Sequence, residues 1–176
     1  MSQSAFQGRA WKFGDDIDTD QIIPAQYAIH SLDPVELGRH ALEGNRLGWA
    51  SHVSPGDLLV AGSNFGCGSS REIAPVAIRA AGIAAVVAFS FARIFYRNAI
   101  NIGFAIFVAP RAADAVVEGD QLRIDPDSGV IENLTRHERY EIDPLPAFMR
   151  ELLATGGLAP WVRKRLADRA RTGLEP

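Results

Sequence analysis

Leu58-Leu59-Val60-Ala61-Gly62-Ser63-Asn64-Phe65-Gly66-Cys67-Gly68-Ser69-Ser70-Arg71-Glu72-Ile73-Ala74-Pro75-Val76-Ala77-Ile78 decides the fold. Leu58 to Ala61 is an unbroken apolar run, which reads as a strand buried on both faces. Ile73 onward carries apolar residues at helical spacing, so the segment is strand, loop, helix. Three glycines between Gly62 and Gly68 let the backbone turn sharply and approach a ligand with no Cβ in the way. Ser69-Ser70-Arg71-Glu72 matches a capping box, with Ser69 as cap and Glu72 three residues on. Free amides at that helix start and the Arg71 guanidinium are then expected to converge on one anion.

Outward from this unit the pattern repeats. Pro55-Gly56-Asp57 is a turn ahead of the first strand, and Gly82 ends the helix. Ile83 to Phe89 reads as a second buried strand, Phe91 to about Asn101 as a helix, and Gly103 to Val108 as a third strand. This order argues for parallel pairing with right-handed crossovers. Ligands of such sheets bind at the carboxyl ends of the strands, where the glycine-rich loop falls. Upstream, Asp33 and Pro34 open a helix running through about His40-Ala41-Leu42. Beyond Asp120 the style changes to short alternating strands at Gln121–Asp125, Gly129–Asn133 and Glu138–Ile142. Helices at Pro146–Leu153 and Pro160–Arg171 close the chain. The expectation is one α/β domain over residues 1–176, with a motif-bearing core at about 10–110 and an antiparallel annex with C-terminal helices at about 120–172.

Composition narrows the function. The 176 residues carry 18 basic and 21 acidic side chains, a net charge of −3, with 47% hydrophobic residues. That is an ordinary globular balance, without the clustered basic footprint of a nucleic-acid binder. The basic run Arg163-Lys164-Arg165, with Arg169 and Arg171, is punctuated by acids and reads as a solvated helix face. Met1 to Ala10 has no apolar core of signal-peptide length, and no run reaches membrane-spanning length. A lone cysteine, Cys67, allows no internal disulfide and fits a reducing cytoplasm. It cannot hold a zinc or iron–sulfur centre by itself, and His30, His40, His52 and His137 show no metal-ligand spacing.

Taken alone, the serine loop admits three chemistries. Ser69 or Ser70 could simply cap a helix; the loop could hold a nucleotide phosphate; or Arg71 could clamp a carboxylate while a serine exchanges a proton beside it. The nucleotide reading lacks a Gly-x-x-x-x-Gly-Lys signature and any lysine in the loop. A serine base needs donors or a cation to stabilise its alkoxide, which a helix start beside Arg71 can supply. Cys67 has no histidine adjoining it in sequence, and small-residue packing explains it better than nucleophilic chemistry. Asp16-Ile17-Asp18-Thr19-Asp20 begins like a calcium loop but lacks its glycine and distal glutamate. These acids can instead form a hydrated turn or orient groups at the serine site.

Three segments occur together in order: Asp18-Thr19-Asp20-Gln21-Ile22-Ile23-Pro24, Asn64 to Glu72, and Ser90-Phe91-Ala92-Arg93-Ile94-Phe95-Tyr96-Arg97-Asn98-Ala99-Ile100-Asn101-Ile102-Gly103. Together they resemble the small subunit of isopropylmalate dehydratase, which corresponds to the swivelling domain of aconitase. The resemblance spans roughly residues 10–110. It implies a three-layer β/β/α swivelling domain that docks on a large subunit carrying a [4Fe–4S] cluster, this chain binding no cofactor itself. It further implies a hydro-lyase, active only as that heteromer, that isomerises a hydroxy acid by dehydration and rehydration. By position, Ser69 matches the catalytic base and Arg71 the carboxylate ligand, with Ser70 and the loop amides, Gly68 among them, assisting. Asp20 matches a supporting active-site acid.

Two departures stand out. Ile73 replaces the histidine usual after Ser-Arg-Glu. Tyr27-Ala28-Ile29-His30 replaces a usual Tyr-Leu-Arg in the loop that sets specificity. Without that arginine, Ile29 offers apolar surface and His30 a conditional charge, which disfavours a third carboxylate. The expected substrate is therefore an alkyl malate, isopropylmalate first, with dimethylmalate or another methylated malate and homocitrate as alternatives. A reading of a different class is a stand-alone anion- or nucleotide-binding module; a third is a subunit that has lost catalysis.

Overall fold

The computed structural model of the chain describes residues 5–172, apart from the side chains of His30 and Thr172. Met1–Ser4, part of the segment read for a signal peptide, lie outside the described residues. Along the chain run β1 (Phe6–Lys12), α1 (Thr19–Ile22), α2 (Ala25–His30), α3 (Pro34–Arg39), β2 (Leu58–Ala61), α4 (Ile73–Ala80), β3 (Ala85–Ala88), α5 (Arg93–Asn101) and β4 (Ala105–Val108). There follow α6 (Pro110–Ala115), β5 (Gln121–Asp125), β6 (Val130–Asn133), β7 (Glu138–Glu141), α7 (Ala147–Thr155) and α8 (Leu158–Thr172).

The strands form one sheet in the order β4-β3-β2-β1-β5-β6-β7. The apolar runs behave as their composition requires: β2 and β3 are buried at every residue. Their alternate side chains serve opposite faces. Leu59, Ala61, Val86, Ala88 and Ile106 join α1, α3, α4, α5 and α7 in one core through Ile22, Leu37, Ile78, Phe95 and Leu152. Leu58, Val60, Val87 and Phe107 face the other way, against Leu122, Ile124, Ile131 and Tyr140 of the antiparallel strands. The sheet therefore curls so that β5–β7 cover the face opposite the core built by α1, α3, α4, α5 and α7. That is the expected three-layer β/β/α arrangement. Each large aliphatic buried this way contributes about 1.5–3 kcal/mol.

The parallel pairing of β2, β3 and β4 is as the sequence order requires, in register from Leu58↔Ala85 and Ala85↔Ala105 onward. Asp33 caps α3 by accepting from the Val35 amide at 3.0 Å. One strand goes unread in the sequence: β1 occupies the middle of the sheet. It pairs parallel with β2 at Ala10↔Leu58 to Lys12↔Val60 and antiparallel with β5 at Phe6↔Ile124 to Arg9↔Gln121. Helix α6 also goes unread, although Ala112 and Ala113 bury it under the sheet.

Candidate active site

Three loops leave the carboxyl ends of β1, β2 and β3 and stay side by side. They are laced by the main chain. Phe13 N–H donates to Val60 O at 2.8 Å, Gly62 to Gly14 O at 3.1 Å and Asp16 to Ser63 O at 2.9 Å. Gly66 donates to Ile17 O at 2.7 Å and Thr19 to Cys67 O at 2.9 Å. On the other side, Phe65 donates to Ser90 O at 3.0 Å and Ala92 to Phe65 O at 2.9 Å. The three sequence segments that stand far apart in the chain thus become adjacent strips of one small platform. Asn64, in the left-handed region at φ 57°, anchors it further by donating from Nδ2 to Asp16 Oδ1 at 2.9 Å.

The Asp18-Thr19-Asp20 segment divides three tasks. Asp18 caps α1 by accepting from the Gln21 amide at 2.7 Å. Thr19 is buried, and its hydroxyl donates to Ser69 O at 3.2 Å. Asp20 reaches across to Arg71, with Oδ1 2.7 Å from a guanidinium nitrogen. A second guanidinium nitrogen of Arg71 donates to Ile23 O at 2.9 Å. Arginine has five N–H donors, so with two engaged three are left for a ligand. The Arg71 side chain is 21% exposed and that of Asp20 63%, so the pair is a surface latch of modest strength that fixes the direction of the fork.

The capping box does not form, which corrects the sequence reading. Gly68, at φ 91°, turns the chain, and the Arg71 amide closes a tight turn onto Ser69 O at 2.8 Å. Helix α4 starts only at Ile73, with Glu72 at the cap position and no side-chain cap bond. Ser69 is therefore held by its carbonyl, which accepts from both Arg71 N–H and the Thr19 hydroxyl. Its side chain and that of Ser70 are exposed. Among the described residues no acceptor takes the amides of Gly68, Ser69 and Ser70. Three free N–H groups and two free hydroxyls thus lie on exposed residues next in sequence to an arginine whose fork is held by Asp20 and Ile23 O. Such a group can bind a carboxylate and stabilise a serine alkoxide.

Cys67 is half-buried beside this group. Burial first, then the charges of Asp18 and Asp16, push its thiol above its usual range and keep it neutral. A neutral thiol is a poor nucleophile, in keeping with a packing role. Ile29 projects from α2 at 80% exposure, one short helix beyond the carbonyl that holds Arg71. The His30 side chain, expected beside it, lies outside the described residues. Ile73 is half-buried and packs against the helical core, so it serves apolar packing at the start of α4. Sequence reasoning missed the individual roles of Thr19, Ile23 and Ser90. Ser90 Oγ accepts from the Asn64 amide at 2.8 Å, and only its place in the third segment hinted at it.

Among the described residues no three His, Cys, Asp or Glu side chains are grouped to hold a metal ion. With a single cysteine besides, this chain's residues do not fit an iron–sulfur cluster. One concavity, of about 690 Å³, lies between β4 and β7 and is lined by Tyr96, Val108, Arg111, Tyr140 and Leu145 among others. No residue of the serine loop lines it. No helix among the described residues is long and apolar enough to cross a membrane.

Comparison with known proteins bears on the family and the fold. The aconitase C-terminal domain family matches residues 49–108, which contain the serine loop and all of α5. The 3-isopropylmalate dehydratase small subunit of Moorella thermoacetica is 58% identical over 160 residues, covering 91% of this chain and 96% of that protein. That of Thermodesulfovibrio yellowstonii is 54% identical over 161 residues, covering 92% and 95%. A crystal structure of 3-isopropylmalate dehydratase from Methanocaldococcus jannaschii superimposes with a TM-score of 0.90 at 44% identity, covering 96% of this chain and 99% of that one. The laced loops, the exposed serine and the oriented arginine are thus found in a chain that belongs to the family of 3-isopropylmalate dehydratase small subunits.

Proposed function

We propose that this chain, one swivel-type domain, is half of a heteromeric hydro-lyase active site. The reaction interconverts 2-isopropylmalate and 3-isopropylmalate, the isomerisation step of leucine biosynthesis. The observation that carries the reading is an exposed Ser69 and three unpartnered amides adjoining a held Arg71, on a platform laced by the main chain. Ser69 takes the carbon-bound proton, its alkoxide stabilised by the amides of Gly68, Ser69 and Ser70. Arg71 holds a substrate carboxylate through the donors that Asp20 and Ile23 O leave unused. Asp20 acts by orienting that fork. The departing hydroxyl needs a group that this chain lacks, and we assign it, with the [4Fe–4S] cluster, to the large subunit.

The apolar, exposed Ile29 supports an alkyl-substituted malate over a tricarboxylic acid, since it offers no cation for a third carboxylate. A free thiol at Cys67 suits a reducing cytoplasm. The test is anaerobic reconstitution with the large subunit from the same source. Turnover is then measured on 2-isopropylmalate, 2,3-dimethylmalate and homocitrate side by side. Turnover of 2-isopropylmalate with little on homocitrate is expected. A chain that forms no complex, or that binds a phosphorylated ligand alone, overturns the reading.

A further inference from the structure

Helix α5 belongs to the third sequence segment, and the active-site chemistry above leaves its outer face unused. Its inner face is settled by packing: Phe95, Ala99 and Ile100 are buried in the helical core. The outer face carries Arg93, Ile94, Arg97 and Asn101, all exposed, with Ile94 at 45%.

The two arginines are badly placed for the helix they stand on. Arg93 is its first residue, where the backbone dipole disfavours a cation, and the first turn holds no acid. Arg97 is four residues on, so the like charges are neighbours on one face and repel. Nine other arginines of the chain, including Arg9, Arg46, Arg71 and Arg150, form ion pairs. Arg93 and Arg97, like Arg79, Arg111, Arg139 and Arg163, pair with no described carboxylate, but only they stand together on one face of a helix start, in a chain whose net charge is −3. Local electrostatics that cut against folding are expected where function imposes them.

The face is also rigidly joined to the candidate site. The residue before α5, Ala92, donates to Phe65 O in the serine loop, and the Phe91 ring packs edge-on to Phe65 with centroids 6.1 Å apart. Whatever holds α5 from outside also holds the platform carrying Ser69 and Arg71.

We infer that the Arg93–Ile94–Arg97 face of α5 is a docking contact for the large subunit, which meets it with an acidic patch around an apolar centre. This rests on the half-site reading above, because a site that needs a partner needs a surface to register it. Charge complementarity of this kind steers encounter and fixes register, and it weakens with salt.

The test is R93E/R97E in the full chain, with affinity for the purified large subunit measured at low and at physiological salt. The dissociation constant is expected to rise at least about tenfold at low salt, with a flattened salt dependence. The melting temperature of the free variant should hold or rise, since glutamate suits a helix start; R93K/R97K should restore binding. Unchanged affinity in R93E/R97E overturns the inference. So does unchanged affinity with a fall in kcat/KM of the assembled enzyme, which would assign the arginines to substrate. A wild-type chain that does not bind the large subunit at all overturns the proposed function, and this contact with it.

Discussion

Ser69 is positioned by its own carbonyl, so its hydroxyl can be removed without disturbing the turn that presents it. Ser69→Ala should therefore leave assembly with the large subunit intact and lower kcat by about a thousandfold or more, the range of a lost acid–base group in a preorganised site. Arg71→Lys keeps a charge but cannot reach Asp20, Ile23 O and a carboxylate together. A kcat/KM loss of about a hundredfold, with the complex retained, is expected in steady-state assays. Gly66 shows the structural counterpart. At φ 79°, an added Cβ would lie 2.2 Å from Phe95 Cγ. Gly66→Ala should cost about 2 kcal/mol or more in denaturant unfolding, because backbone strain and core overlap add. The residue types at these positions were legible in the sequence. The resemblance gave Asp20 a supporting place at the site but not its partner: Arg71 stands 51 positions away, and only the fold brings the two within 2.7 Å.

At the scale of elements, the runs that are apolar throughout announced themselves. Leu58–Ala61 and Ala85–Ala88 are buried on both faces, so composition alone betrays them. The central strand β1 did not. Its Gln7-Gly8-Arg9 breaks the apolar pattern, because half of it borders the curled antiparallel layer and its neighbours supply the burial. Part of what secures it is a polar knot. Asp57 is 5% exposed and accepts from Trp11 Nε1 at 2.8 Å and from the Ser54 amide at 3.0 Å, with Arg9 3.3 Å away. Asp57→Ala would strand the buried Trp11 N–H, and chemical denaturation should register a loss of about 2–4 kcal/mol. The capping box failed for a related reason. Ser-Ser-Arg-Glu is a local signal, and the lacing of Thr19 and Arg71 onto the Ser69 carbonyl outcompetes it.

Across the whole molecule, β7 gives the fold an alkaline limit. Tyr140 is buried under the sheet and its hydroxyl donates to Glu138. Burial, then the Glu138 hydrogen bond and charge, push its ionisation from the ordinary 10.0 to about 12. The folded chain holds this proton more tightly than the unfolded one. The contribution is therefore full below pH 10 and is lost as the pH climbs towards 12. Thermal melts of the wild type should fall across that interval, and those of Tyr140→Phe should fall less steeply. A different consequence follows from the way the three site loops are joined. Their bonds run mostly between peptide groups, which every amino acid carries, so the platform is indifferent to most of the side chains mounted on it. Residues such as Ile29 can then drift under selection for new substrates while the reaction frame passes unchanged from ancestor to descendant.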